Sequence, residues 1–175
     1  MTRQAAAPPS PAGGRGRFHI VLVNPLIPQN TGNIGRLAAA TDSLLHLVHP
    51  LAFQITEARV KRAGLDYWPW IRLVEHADFG AFEDWARRNE PSGRFFLLTK
   101  KAQRSFYEIR FEPGDFLIFG RETKGLPSEI VERFPGRSFR IPMFNPNVRS
   151  LNLSNAASVV LYEAIRQTAG GLMED

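Results

Sequence analysis

The chain of 175 residues contains no cysteine, so disulfides, thiolate nucleophiles and cysteine-ligated zinc are excluded together. No apolar stretch approaches the roughly 20 residues that a membrane-spanning helix requires. The opening segment, Met1 to Gly16, lacks the apolar centre of a secretory signal, so a cytoplasmic protein without a membrane partner is expected. Histidine is scarce. His19, His46, His49 and His76 are scattered, two of them in or at the end of a strand where chelation is awkward, and no metal site is expected. Three common signatures are missing as well. Gly32 and Gly35 are not preceded by the Gly-x-Gly of a dinucleotide-binding turn, and Thr123-Lys124-Gly125 is no phosphate loop of the Gly-Lys-Ser/Thr type. No Gly-x-Ser-x-Gly elbow points to a hydrolase.

What is present is the composition of a soluble globular protein, 43% hydrophobic and 22% charged. The length suits one domain with a real core. Residues 1–17 hold no Asp or Glu but do hold Arg3, Arg15 and Arg17. This Ala/Pro/Gly/Arg segment cannot bury a face and reads as a disordered basic tail. Residues 18–169 read as the single domain and 170–175 as a short tail. The net charge of +5 falls to +2, 19 basic against 17 acidic residues, once the first 17 are set aside. Three basic clusters remain: Arg59-Lys61-Arg62, Arg87-Arg88-Arg94 and Lys100-Lys101-Arg104. Each alone reads more simply as a solvated face; three in one small domain raise nucleic acid as a partner.

Strand-like and helix-like segments alternate from Phe18 onward. Strands are expected at Phe18–Asn24, Leu44–His49, Ile71–Glu75, Arg94–Thr99, Asp115–Phe119 and Ser138–Ile141, from β-branched and aromatic runs. Helices are expected at Thr31–Ser43 after a turn at Pro25–Asn30, at Glu57–Ala63, at Phe79–Asn89, at Ser128–Phe134 and beyond Leu151. This alternation predicts an α/β fold, a mostly parallel sheet with helices on both faces.

The last helix is introduced by Arg149-Ser150-Leu151-Asn152-Leu153-Ser154-Asn155, five polar side chains in seven positions ahead of the amphipathic stretch Ala156 to Gln167. One Ser or Asn suffices to cap a helix. The surplus, at a helix start that favours anionic or strongly polar ligands, suggests a small-molecule site. Ligands of parallel sheets bind beyond the carboxyl ends of the strands, and three such ends carry Gly, Asn and Pro in unusual density: Asn24 to Arg36, Gly120 to Pro127, and Pro142 to Asn147 leading into Arg149.

Together these loops resemble the three motifs of the SPOUT superfamily of RNA methyltransferases, and most closely the small tRNA 2′-O-methyltransferases that act on cytidine or uridine at wobble position 34. The resemblance rests on Pro28-Gln-Asn-Thr-Gly-Asn-Ile-Gly-Arg-Leu37, Arg62-Ala-Gly-Leu-Asp-Tyr67, Phe119-Gly-Arg-Glu-Thr-Lys-Gly-Leu-Pro127 and Arg149 to Asn155, with Tyr162-Glu163-Ala164 after them. It implies a C-terminal trefoil knot, a homodimer, tRNA and not DNA as partner, and S-adenosyl-L-methionine as methyl donor without a metal. By position, Leu98, Gly120, Ile141 and Ser150 match cofactor-contacting positions, with Met143 and Leu151 beside them. Asn30, Arg36, Glu122, Ser150 and Asn152 match polar positions around the methyl-transfer centre. There Arg36 is expected as a fixed cation or as half of an ion pair with Glu122. Asn30 suits a hydroxyl-orienting role and a turn-closing role equally. Tyr162 reads first as a core or interface residue, Trp68 and Trp70 first as core, and Gly120 and Gly125 as approach points around an adenosine. The chain departs from the branch at Arg121, where Pro is usual, and in a Met143–Ser150 segment one residue longer. Methylation of ribosomal RNA and a silent RNA-binding knot are the alternatives; retention of the five polar residues argues against the second.

Overall fold

The computed structural model describes residues 18–53 and 67–168. Six strands, β1 (His19–Val23), β2 (Leu44–Val48), β3 (Arg72–His76), β4 (Phe95–Leu98), β5 (Phe116–Phe119) and β6 (Ser138–Phe139), form one sheet in the order β3-β2-β1-β5-β4-β6. Every pairing is parallel. The helices are α1 (Pro28–Ala40), α2 (Phe79–Asn89), α3 (Ser128–Arg133) and α4 (Leu153–Thr168). The α/β class read from the sequence is the class observed, and the expected helix at Glu57–Ala63 lies outside the described residues.

All five residues of β1 are buried, as are those of β2 and β5. A parallel strand covered on both faces is apolar along its whole length. Ile20, Leu22, Leu45, Leu47, Leu117 and Phe119 point to a core shared with Ile34 and Ala38 of α1 and Ala157, Val160, Leu161 and Ala164 of α4. Val21, Val23, Leu97, Phe116 and Ile118 point the other way, onto Phe79, Phe82 and Ala86 of α2 and Ile130 of α3. Helix α2 has the expected bounds because Asp78 caps it, its carboxylate accepting from Ala81 N–H at 2.8 Å.

Several elements depart from the expected bounds. Helix α1 starts at Pro28, not Thr31, since Pro pre-sets the helical φ of a first turn; Asn30 is therefore inside the helix and not in a turn before it. Helix α4 keeps to the expectation of a helix beyond Leu151 and begins at Leu153, because Asn152 caps it. Short 3-10 turns at Trp68–Trp70 and Phe106–Glu108 interrupt segments with no helical periodicity to announce them. The strand at Ser138–Ile141 is only two residues long; Arg140 leaves β4 and bridges to Ser105 instead. From that edge the chain returns to the middle of the sheet, where α4 packs on α1 and β5.

Candidate functional site

A cavity of about 370 Å³ opens at the carboxyl ends of the strands. Its wall takes Ile27 and Asn30 from the loop and helix after β1, Leu98 to Lys101 after β4, Phe119 to Gly125 after β5, and Ile141, Met143 and Arg149 to Leu153 from the segment leading into α4. The three loops singled out in the sequence thus meet. A fourth strand end, Thr99-Lys100-Lys101, joins them without having been anticipated; its Lys pair stood only as a basic cluster.

Glu122 organises the polar side of this cavity. Its carboxylate accepts from the N–H groups of Leu26 and Ile27 and from Asn30 Nδ2, each at 3.0 Å. Helix α1 has no side-chain cap of its own and no acid in its first turn, so Glu122 supplies the negative charge at its mouth from 95 residues away in sequence. Burial raises the Glu122 pKa, but the bonds from Asn30, Leu26 and Ile27 outweigh it and hold the carboxyl below its ordinary value. Glu122 is therefore an ionised anchor with its oxygens engaged, poorly suited to take up a proton.

The chain of bonds continues. Asn30, almost wholly buried, accepts at Oδ1 from Asn152 Nδ2 at 3.0 Å. Asn152 in turn accepts at its own Oδ1 from Ser154 N–H (2.8 Å), Ser154 Oγ (2.7 Å) and Asn155 N–H (3.4 Å), which caps α4. Of the five polar residues that introduce α4, Asn152 and Ser154 are spent on the cap. Arg149 and Ser150 are left facing the cavity, and the Ser150 hydroxyl has no hydrogen-bond partner among the described residues.

Leu98, Gly120, Ile141, Met143, Ser150 and Leu151 all line this one cavity, as do Asn30, Glu122 and Asn152. The apolar side, which includes Leu98, Phe119, Ile141, Met143 and Leu151, suits a flat heterocycle, and the polar side suits hydroxyl and amino-acid groups. Gly120 is required by the loop itself. A Cβ there would lie 2.1 Å from Gly125 C and Leu126 N, so glycine lets the loop fold back on itself. Gly125 takes a left-handed φ of +70° that closes the same loop.

Arg36 is not in the cavity wall. Six residues beyond Asn30 it has turned about 240° round α1, onto the exposed side, and it makes no ion pair with Glu122. Its guanidinium instead lies over the Tyr67 ring, 4.5 Å from the centroid, while Tyr67 Oη donates to Gly32 O at 3.1 Å. Tyr67 stood in a quoted motif without a role; its value as a ledge for Arg36 needed the fold to be seen.

The aromatic expectations are corrected in part. Trp70 is 75% exposed, not core, and Tyr162 is 56% exposed on the outer side of α4. Arg87 pairs with Asp84 on the exposed side of α2 and Arg94 with the buried Asp115, so neither is a free cation. Arg59, Lys61 and Arg62 lie outside the described residues. The histidines are less scattered than the sequence suggests. His19, His46 and His76 come together on β1, β2 and β3, with ring nitrogens 2.9 Å apart at each step. Among the described residues no group of histidines and acids is placed to hold a metal ion.

The model of the SpoU rRNA Methylase family matches residues 17–162. A tRNA (cytidine(34)-2′-O)-methyltransferase from a Polaromonas species is 48% identical over 151 residues, 86% of this chain and 90% of that protein. A solved structure presented as "Structural insights into the 2-OH methylation of C/U34 on tRNA" superposes with a TM-score of 0.81 at 46% identity, covering 90% of this chain and 99% of the other. An AdoMet-bound rRNA methyltransferase from Sinorhizobium meliloti superposes with a TM-score of 0.74 at 26% identity, over 87% of this chain and 57% of that one.

Proposed function

The chain belongs to the SpoU rRNA methylase family, and from that membership we propose that it transfers a methyl group from S-adenosyl-L-methionine to the ribose 2′-hydroxyl of nucleotide 34 of tRNA. The observation that carries this reading is the meeting of three loops, distant in sequence, in one cavity with an apolar and a polar side. The relatives named for cytidine 34 decide between tRNA and ribosomal RNA. The cavity residues fit the donor: an apolar floor at Leu98, Ile141 and Met143, and open polar groups at Ser150 and Arg149. When bound, S-adenosyl-L-methionine supplies an already activated methyl electrophile, which needs no metal as Lewis acid.

The chain's own residues then have three tasks. Glu122, Asn30 and Asn152 lock the loops together so that the cavity keeps its shape, positioning being a large part of catalysis. Ser150, with its hydroxyl uncommitted, orients the reacting ribose or the amino-acid end of the donor. Arg36 stays charged at all working pH values and acts as a fixed cation on the phosphate and the developing 2′-oxyanion. A C-terminal knot within each chain is part of this reading, as is a homodimer. It is supported by the position of Arg36 outside its own cavity and by the exposed Val159 and Tyr162 on α4.

The test is incubation with methyl-labelled S-adenosyl-L-methionine and either bulk tRNA or bulk rRNA, with EDTA present, followed by digestion and mapping. Label in tRNA at nucleotide 34 is the expected result; label confined to rRNA would overturn the substrate assignment.

A further inference from the structure

Arg121 occupies the first position of the loop after β5, where the resembling branch carries Pro. Its main chain is pinned: Arg121 N–H donates to Gly125 O at 3.1 Å, and Gly125 N–H donates to Arg121 O at 2.9 Å. Its guanidinium lines the cavity but is poorly served there. Nη2 donates to the neutral amide oxygen of Asn24 at 3.3 Å, and the buried Nε–H has no acceptor among the described residues. The adjacent carboxylate of Glu122 is turned to Leu26, Ile27 and Asn30. A guanidinium cannot shed its charge to relieve this, and a buried charged donor without an acceptor is costly.

The same wall carries Lys100, Lys101, Lys124 and Arg149. None of them pairs with a carboxylate among the described residues. S-adenosyl-L-methionine does not restore the balance, because its sulfonium beside a zwitterionic amino acid leaves it net positive. The counter-charge has to arrive with the other ligand. Building on the tRNA reading above, we propose that Arg121 binds a backbone phosphate of the RNA beside the methylated nucleotide. It offers Nη1, unpaired among the described residues, and the free hydrogen of Nη2 to the phosphate oxygens, the forked geometry in which Arg holds oxyanions best. The turn closed with Gly125 fixes the Arg121 main chain, and Asn24 holds Nη2, so part of the cost of ordering a long side chain is met before the RNA arrives.

The one other oxyanion within the same chemistry is the carboxylate of the methyl donor, and the experiment separates the two. Affinity for unmodified tRNA is measured on protein saturated with S-adenosylhomocysteine across a salt series, for the wild type, Arg121→Gln and Arg121→Lys. Affinity for S-adenosyl-L-methionine is measured by calorimetry. Arg121→Gln should weaken tRNA binding about tenfold at low salt and flatten the plot of log affinity against log salt by about 0.7–0.9, one phosphate contact. Arg121→Lys should restore the slope without the full affinity. Donor affinity should stay within about twofold of wild type, since the guanidinium serves the RNA. Arg121→Met, which keeps the apolar stem, replaces the Gln variant if that one fails to fold. A wild-type slope in the uncharged variant overturns the proposal, as does lost donor affinity with intact tRNA binding. A wild type that methylates no tRNA refutes instead the reading on which the proposal rests.

Discussion

Arg36 rests on the ring of Tyr67 and not against a carboxylate, which fixes what its substitutions should do. With no internal ion pair to break, Arg36→Ala should keep its fold and its affinity for S-adenosyl-L-methionine. It should lose on the order of 100-fold or more in single-turnover rate. Arg36→Lys should keep measurable turnover, because a point charge survives without the fork. Tyr67→Phe retains the ring and loses only the bond to Gly32 O, so it should stay close to wild type. Tyr67→Leu removes the ledge and should slow turnover about fivefold, the value of an exposed cation–π contact. Rapid-quench rates beside calorimetric donor affinity check this series, and a stable Arg36→Ala protein with near-normal methylation would contradict the assignment. At this scale the candidate residues were legible as a set through the resemblance of their motifs to the family, and the structure joins Asn30, Glu122 and Asn152 in one network. Their division of labour was not. That Glu122 caps α1, and that Asn152, besides capping α4, reaches Asn30, depends on bonds spanning 95 and more residues.

Among the elements, helix α2 was readable to the residue because its cap and its apolar face are local. Helix α1 was misjudged at its start because its cap is remote. The loop after β5 is the element on which the site depends most. Its two glycines act as a pair: Gly125 makes the left-handed bend, and Gly120 leaves room for the backbone that bends back. Gly120→Ala would drive a methyl group into Gly125 and Leu126 at 2.1 Å, against backbone that has no rotamer to yield. That variant should lose donor binding by calorimetry and melt earlier than wild type, with the Arg121–Gly125 bonds broken. Unchanged affinity would show that the loop tolerates a displacement larger than its hydrogen bonds allow.

For the whole molecule, hydrophobic runs foretold a two-faced parallel sheet, but not its order. Strand neighbours such as β1 and β5 are nearly a hundred residues apart, and nothing in either run names its partner. The same long-range assembly stacks His19, His46 and His76 across three strands, under Phe82, Trp85 and Phe116 and with Glu90 3.7 Å from His19 Nε2. Burial, and for His46 also the neighbouring His19 and His76, pushes His46 and His76 toward neutrality; His76 falls to about 4 and His46 lies well below its ordinary value. The unfolded chain, with histidines near 6.5, binds more protons than the folded one between those values. Stability is thus whole above about pH 6.5 and drains as pH falls toward 4. Glu122, whose pKa is lowered, adds its own loss only below about 4.5, where the unfolded carboxyl starts to bind its proton first. Urea unfolding at pH 7, 6 and 5 should show a falling midpoint for the wild type and a shallower fall for His76→Gln; parallel curves would contradict the account.

The central claim is that the 2′-oxygen of nucleotide 34 receives the methyl group. A tRNA transcript carrying a single 2′-deoxyribose at position 34, and ribose elsewhere, tests it most directly. The account predicts that this tRNA binds with ordinary affinity, competes with the unmodified substrate and accepts no label from S-adenosyl-L-methionine. Incorporation into the deoxy-34 transcript at the wild-type level would place the methyl group on another atom and contradict the account.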